Sequence, residues 1–154
     1  MLKVQIGSNE SVTFEFVVNA EEFCGENFLD SGELIGEIKI VGEVVKSDDF
    51  FIVRGKIFCK KKFICDRCLS VAENNQIHDF EEEISSAEVV ENILDITEIV
   101  RDTLIISQPI KNSCKADCKG LCPICGYNLN EGDCKCDRFI ADPRLAILQE
   151  MKLD

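Results

Sequence analysis

Histidine is nearly missing from this chain: His78 is the only one among 154 residues. A nucleophilic cysteine would want a histidine base, and one histidine gives no such constellation. A glycine-rich phosphate loop and a nucleophile elbow are absent as well. The many carboxylates read as a solvated acidic surface, so no enzyme class is indicated. No apolar run reaches the roughly 18 residues that a bilayer-spanning helix needs. The opening residues, Met1-Leu2-Lys3-Val4-Gln5, lack the apolar region and small-residue cleavage site of a secretory signal, so a cytoplasmic protein is expected. Positive charge is also short: 17 Lys and Arg against 29 Asp and Glu leave a formal net charge of -12. Such a chain is not drawn to phosphate backbones by bulk charge. Nucleic-acid contact must be local, or the direct partner is a protein, with a basic one matching best.

Cysteine, in contrast, is abundant, with ten residues. In a reducing compartment this usage favours metal over disulfides. Six of the ten lie between Cys114 and Cys136, as Cys114-x3-Cys118, Cys122-x2-Cys125 and Cys134-x-Cys136. A further pair, Cys65 and Cys68, stands upstream. Cys122-Pro123-Ile124-Cys125-Gly126 has the form of a zinc knuckle. Two intervening residues let two thiolates share one metal, and the glycine lets the backbone turn back so that amides face the sulfurs.

Eight paired cysteines suit two four-thiolate zinc sites. Proximity groups Cys122, Cys125, Cys134 and Cys136. Cys65 and Cys68 then join Cys114 and Cys118 and tie the preceding sheet to the C-terminal part. One zinc on the knuckle plus one flanking pair is the alternative, and iron–sulfur ligation would use the same residue type. A catalytic zinc would keep an open position, whereas thiolates are in surplus here. His78 is expected at a surface or edge. Cys24 and Cys59 have no near partner and are expected to be small buried apolar residues.

Cations cluster near the cysteines. Lys60, Lys61, Lys62 and Arg67 flank the first pair against only Asp66, and Lys111, Lys115, Lys119, Lys135 and Arg138 surround the others against Asp117, Glu131, Asp133 and Asp137. Metal binding would gather them into a locally basic face, with Lys60, Lys61, Lys62, Arg67, Lys115 and Lys119 as partner contacts. Alternatively they offset thiolate charge. Tyr127 is the only obvious aromatic there, so sequence-specific base reading is not supported.

Apolar periodicity predicts strands over Leu2–Ile6, Val12–Val18, Glu33–Val45, Phe50–Phe58 and around Ile77–Ile84, the fourth either running on to Cys65 or re-entering there after a tight turn. The first two are expected to form a hairpin. Gly55 is expected to mark a bulge or a close-packing point. Ala20–Gly32 and Glu81–Glu91 read as irregular acidic segments. Helical spacing from Ile96 to Leu104, opened by Asp95 and ended before Pro109, predicts a helix near 95–107. Asp142-Pro143 opens a C-terminal helix. The expected fold is a single α+β domain over 1–154. Residues 1–107 supply a curved antiparallel sheet, as a meander or partial barrel, plus a helix. Residues 108–154 supply the metal-binding loops and the last helix.

Three segments carry a family resemblance: CDRCL at Cys65–Leu69, CKGLCPICGYNLN at Cys118–Asn130 and DPRLAIL at Asp142–Leu148. Their order and separation resemble the YceD family, described as large-ribosomal-RNA-subunit accumulation proteins. The resemblance implies a bacterial, cytoplasmic, non-catalytic ribosome biogenesis factor. Its partner would be large-subunit ribosomal RNA or a pre-ribosomal particle, met directly or through a ribosomal protein, with no membrane or small-molecule substrate. It also implies that zinc supports the fold in a cysteine-rich branch. The alternative is an adaptor whose acidic surface holds a basic ribosomal protein.

Overall fold

The computed structural model describes residues 1–7, 11–25, 28–29, 32–89 and 91–137. Strand β1 covers Lys3–Gln5 and β2 covers Ser11–Asn19. A short helix, α1, follows at Ala20–Cys24, with the Asn19 side chain accepting from the Glu21 amide at 2.9 Å. This turn of helix stands where an irregular segment was expected. Three fifteen-residue strands come next: β3 at Glu33–Ser47, β4 at Phe50–Ile64 and β5 at Val71–Ser85. A 3-10 turn at Ser86–Glu88, the short strand β6 at Ile93–Asp95 and helix α2 at Thr97–Ile106 complete the described elements.

Strands β2-β3-β4-β5 form one antiparallel sheet in sequence order, as a meander. Side chains alternate between faces along each strand. Ile38, Ile40 and Val44 of β3 and Val53 and Ile57 of β4 therefore share one face, and all are buried. Ile96, Val100 and Leu104 close over that face with no more than 0 % exposure. The architecture is mostly antiparallel sheet with two short helices. The expected helix from Asp142 and the cation Arg138 lie outside the described residues.

The expected β1–β2 hairpin does not form. β2 pairs with β3, and β1 pairs with β6, Val4 lying opposite Leu94. The reason is burial: Leu2, Val4 and Ile6 are 1 %, 3 % and 7 % exposed, and they gain that cover beside α2. The Leu2 amide donates to Thr97 Oγ1 at 2.7 Å, and the Ile96 amide donates to the Leu2 carbonyl at 2.9 Å. The acidic residues Glu81–Glu83, expected in a loop, belong to β5 and pair with Ile52–Arg54. Exposed charges do not end a strand when an adjacent strand satisfies its backbone.

Gly55 is a close-packing point. It lies opposite Gly42, and a Cβ on either would sit 2.4 Å from a backbone oxygen and within 3.0 Å of the Phe80 or Phe14 ring. The two rings thus cover the strand backbones where side chains are missing. The register irregularity falls elsewhere, between Ile35 and Lys39, beside Gly36 at φ 74°.

Candidate metal centres

The first centre starts where β4 stops. After Ile64 the chain reverses, with the Leu69 amide donating to the Cys65 carbonyl and the Cys65 amide to Ser70, both at 2.9 Å. Leu69 takes φ 58° to make the turn. A later loop is clamped onto it from both directions. The Asp66 amide donates to the Asn112 carbonyl at 2.9 Å, and the Asn112 amide donates to Asp66 Oδ2 at 2.7 Å. That clamp brings Cys114 and Cys118 beside Cys65 and Cys68.

The four sulfurs lie within 4.8 Å of one another. Cys65 Sγ is 3.9 Å from Cys118 Sγ, and Cys68 Sγ is 3.6 Å from Cys114 Sγ. Four Zn–S bonds of about 2.3 Å in a tetrahedron require S···S edges of about 3.8 Å. The donor set and its dimensions therefore fit zinc. N–H groups support the sulfurs: the Cys114 amide reaches Cys65 Sγ at 3.3 Å, and Asn130 Nδ2 reaches Cys118 Sγ at 3.4 Å. Cys65, Cys68 and Cys118 are buried and form a small core of their own.

The second centre is built on the knuckle. The Cys122 amide donates to the Tyr127 carbonyl at 2.8 Å, and the Gly126 amide returns to the Cys122 carbonyl at 2.9 Å. Gly126 has φ 72°, a conformation that glycine adopts without strain. Cys122, Cys125, Cys134 and Cys136 gather with their sulfurs within 4.8 Å. Both tetrads are the groupings that spacing predicted. They share a frame, since the Leu121 amide bonds to Arg67 at 3.1 Å and the Leu129 amide to Gly120 at 2.9 Å.

The electrostatics suit anionic sulfur. Backbone amides of Cys114 and Cys68 hold the Cys65 thiol down to about 6. Amides of Cys125 and Ile124 do the same for Cys122, also to about 6. Burial raises Cys118, but the Asn130 side chain and the Gly120 amide outweigh it and bring this thiol below its usual range. Cys114 goes up to about 12 through burial and its thiol neighbours, and Cys136 to about 12 through Cys125 and burial. Each cluster thus divides thiolate and thiol among its members, and a dication would replace the remaining protons. Cys24 and Cys59 are buried apart from the tetrads, and burial pushes both up to about 11, so they remain apolar thiols.

The six cations expected at a partner surface separate into two sets. Lys61 is 0 % exposed and donates to Asn112 Oδ1 at 3.0 Å, so it does not face a partner. Burial lowers its pKa, against the nearby Asp66 carboxylate. Lys60 pairs with Glu73 at 2.6 Å and Lys62 with Glu33 at 3.0 Å. Arg67, Lys115 and Lys119 are exposed around the first centre, and none forms an ion pair among the described residues. His78 sits in β5 beside Gln76, remote from both tetrads in the pairing scheme.

Asn112 was not singled out from sequence and Asn130 was read only as a turn residue, because one asparagine in a loop carries no periodic signal of the bracing both give the first centre. Lys61 did carry one: in a strand it faces the opposite way from Lys60 and Lys62, alongside buried Cys59 and Phe63.

A family model described as large ribosomal RNA subunit accumulation protein YceD matches residues 69–152. The matched stretch includes Cys114 through Cys136 and starts just after Cys65 and Cys68. No curated protein and no solved structure gives a significant match.

Proposed function

Because this chain belongs to the YceD family, the large ribosomal RNA subunit accumulation proteins, we propose that it is a non-catalytic factor that binds large-subunit precursor particles through its cysteine-rich end. The observation that carries this reading is the convergence of eight sulfurs into two tetrads of zinc dimensions. When bound, zinc would cross-link loops that have little apolar core of their own. In the first site Cys65, Cys68, Cys114 and Cys118 would hold it, and in the second Cys122, Cys125, Cys134 and Cys136.

That scaffold fixes Arg67, Lys115 and Lys119 on neighbouring turns, where they supply the local positive charge an acidic protein needs to meet phosphate. Lys60 and Lys62 contribute less, because Glu73 and Glu33 already neutralise them. The test is co-sedimentation with large-subunit precursor particles. The triple variant Arg67→Glu, Lys115→Glu, Lys119→Glu should leave the particle fraction, and Lys60→Glu with Lys62→Glu should stay. Retention of the triple variant would overturn the assignment.

A second reading is an adaptor that holds a basic ribosomal protein. The net charge of -12 favours it. The family's description names an accumulated RNA and no reaction, in keeping with either binding role.

A further inference from the structure

We propose that the open edge of β5, with the groove between it and α2, docks an extended, cation-rich polypeptide segment. The sheet ends at β5. All fifteen residues of this strand pair with β4, and no described strand pairs with its other side. A groove of about 510 Å³ opens there, between Asp79–Glu82 of β5 and α2 along its length, from Glu98 to Ser107 just past its end. The groove is lined by Asp79, Phe80, Glu81 and Glu82 of β5, the last strand of the sheet, and by residues of α2, which packs beside it.

The far wall of the groove is acidic too. Glu98 and Asp102 stand one turn apart on α2, both exposed. Asp79 is held by Lys56 at 2.7 Å, but Glu81, Glu82, Glu98 and Asp102 form no ion pair among the described residues. Between the acidic residues the lining includes the apolar Phe80, Ile99 and Ile106, with Phe80 buried and Ile106 82 % exposed, and the hydroxyls of Thr103 and Ser107.

An edge strand offers a row of backbone donors and acceptors, and an incoming strand that uses them gains affinity from the main chain and specificity from alternate side chains. A segment alternating basic and apolar residues would place its cations against the four carboxylates and its apolar side chains toward Phe80 and Ile106. A second copy of this chain would bring the same carboxylates and be repelled. Nucleic acid would set phosphates against the same walls. The inference rests on the adaptor reading only for the biological identity of the partner; the chemistry of the groove does not depend on it.

The test uses the full chain and three labelled probes. One is a short peptide alternating Arg and Val. The second is the same peptide N-methylated at alternate backbone amides, and the third is a single-stranded oligoribonucleotide. The first peptide should bind and slow amide exchange in β5. N-methylation should weaken it about tenfold, because the cations remain but the main-chain bonds are lost. Glu98→Lys with Asp102→Lys should also weaken it about tenfold, with an unchanged circular dichroism spectrum. Equal binding of the methylated peptide, protection at β2 in place of β5, competition by the oligoribonucleotide, or dimerisation of the chain through β5 would each overturn the proposal. None of these outcomes bears on the particle co-sedimentation test, so the two can fail separately.

Discussion

Lys61 shows most clearly how one residue connects the sheet to the metal end. It leaves β4 toward the interior, and its ammonium meets the Asn112 side chain while Asn112 grips Asp66. Removing one member of a buried hydrogen-bonded charge cluster costs about 1–3 kcal/mol. Lys61→Met should therefore lower the unfolding free energy by about that amount in chemical denaturation. A variant as stable as the parent would show that the link contributes nothing. The titration has a definite sign. Burial lowers the folded-state pKa of Lys61 below the ordinary lysine value of 10.5. Over the window between the two, the unfolded chain binds more protons, so stability rises with pH. The parent should thus gain on Lys61→Met as alkaline pH approaches 10.5, and denaturation series at several pH values read that gap.

Gly42 supplies a second test at this scale. An added Cβ would meet the Arg54 carbonyl at 2.4 Å, a fixed backbone atom. Gly42→Ala should cost about 1–3 kcal/mol as overpacking, where an exposed strand site would be close to neutral. At single positions period was not always used: Lys61 was expected among the partner contacts, and the structure buries it. The buried side of Lys61 follows from alternation within the lysine run. The bracing by Asn112 and Asn130 follows from tertiary placement, which no short window contains.

At the scale of elements the two tetrads are unequal. Cys65 and Cys118 are 0 % and 1 % exposed, whereas Cys125 is exposed and Cys134 and Cys136 are half-buried. Chelator should therefore strip the second centre before the first. Hydrogen exchange followed by mass spectrometry would show residues 122–136 loosening in an early phase and the Cys65–Ser70 turn in a later one. A single phase with both segments moving together would contradict that order. β3 and β4 were legible over most of their length because alternation repeats many times along them, whereas β5 was expected only around Ile77–Ile84 and starts at Val71. β6 was missed because Ile93–Asp95 is too short to show a period. The pairing of β1 followed from the same gap, since its true partner was invisible and β2 was the nearest candidate.

For the whole molecule, charge and metal divide the labour. The sheet carries its own apolar core, and the tetrads lie beyond its end, so a bound metal would act as a local staple and the sheet should outlast its removal. The four close cysteine pairs were legible from spacing, but their grouping was left between two tetrads and one knuckle site with a flanking pair, and the fold brings together the two tetrads. The setting of the cations was legible only in part. Composition located the cations, but the ion pairs of Lys60 and Lys62 depend on β3 and β5 lying on either side of β4. The acidic groove at β5 needed the position of α2, which no linear reading supplies.

The most direct test of the account is zinc content measured together with X-ray absorption at the zinc edge on the purified chain. Two zinc ions per chain, each in a shell of four sulfurs at about 2.3 Å, is the predicted result. One ion or none, or a shell containing nitrogen or oxygen, would contradict it.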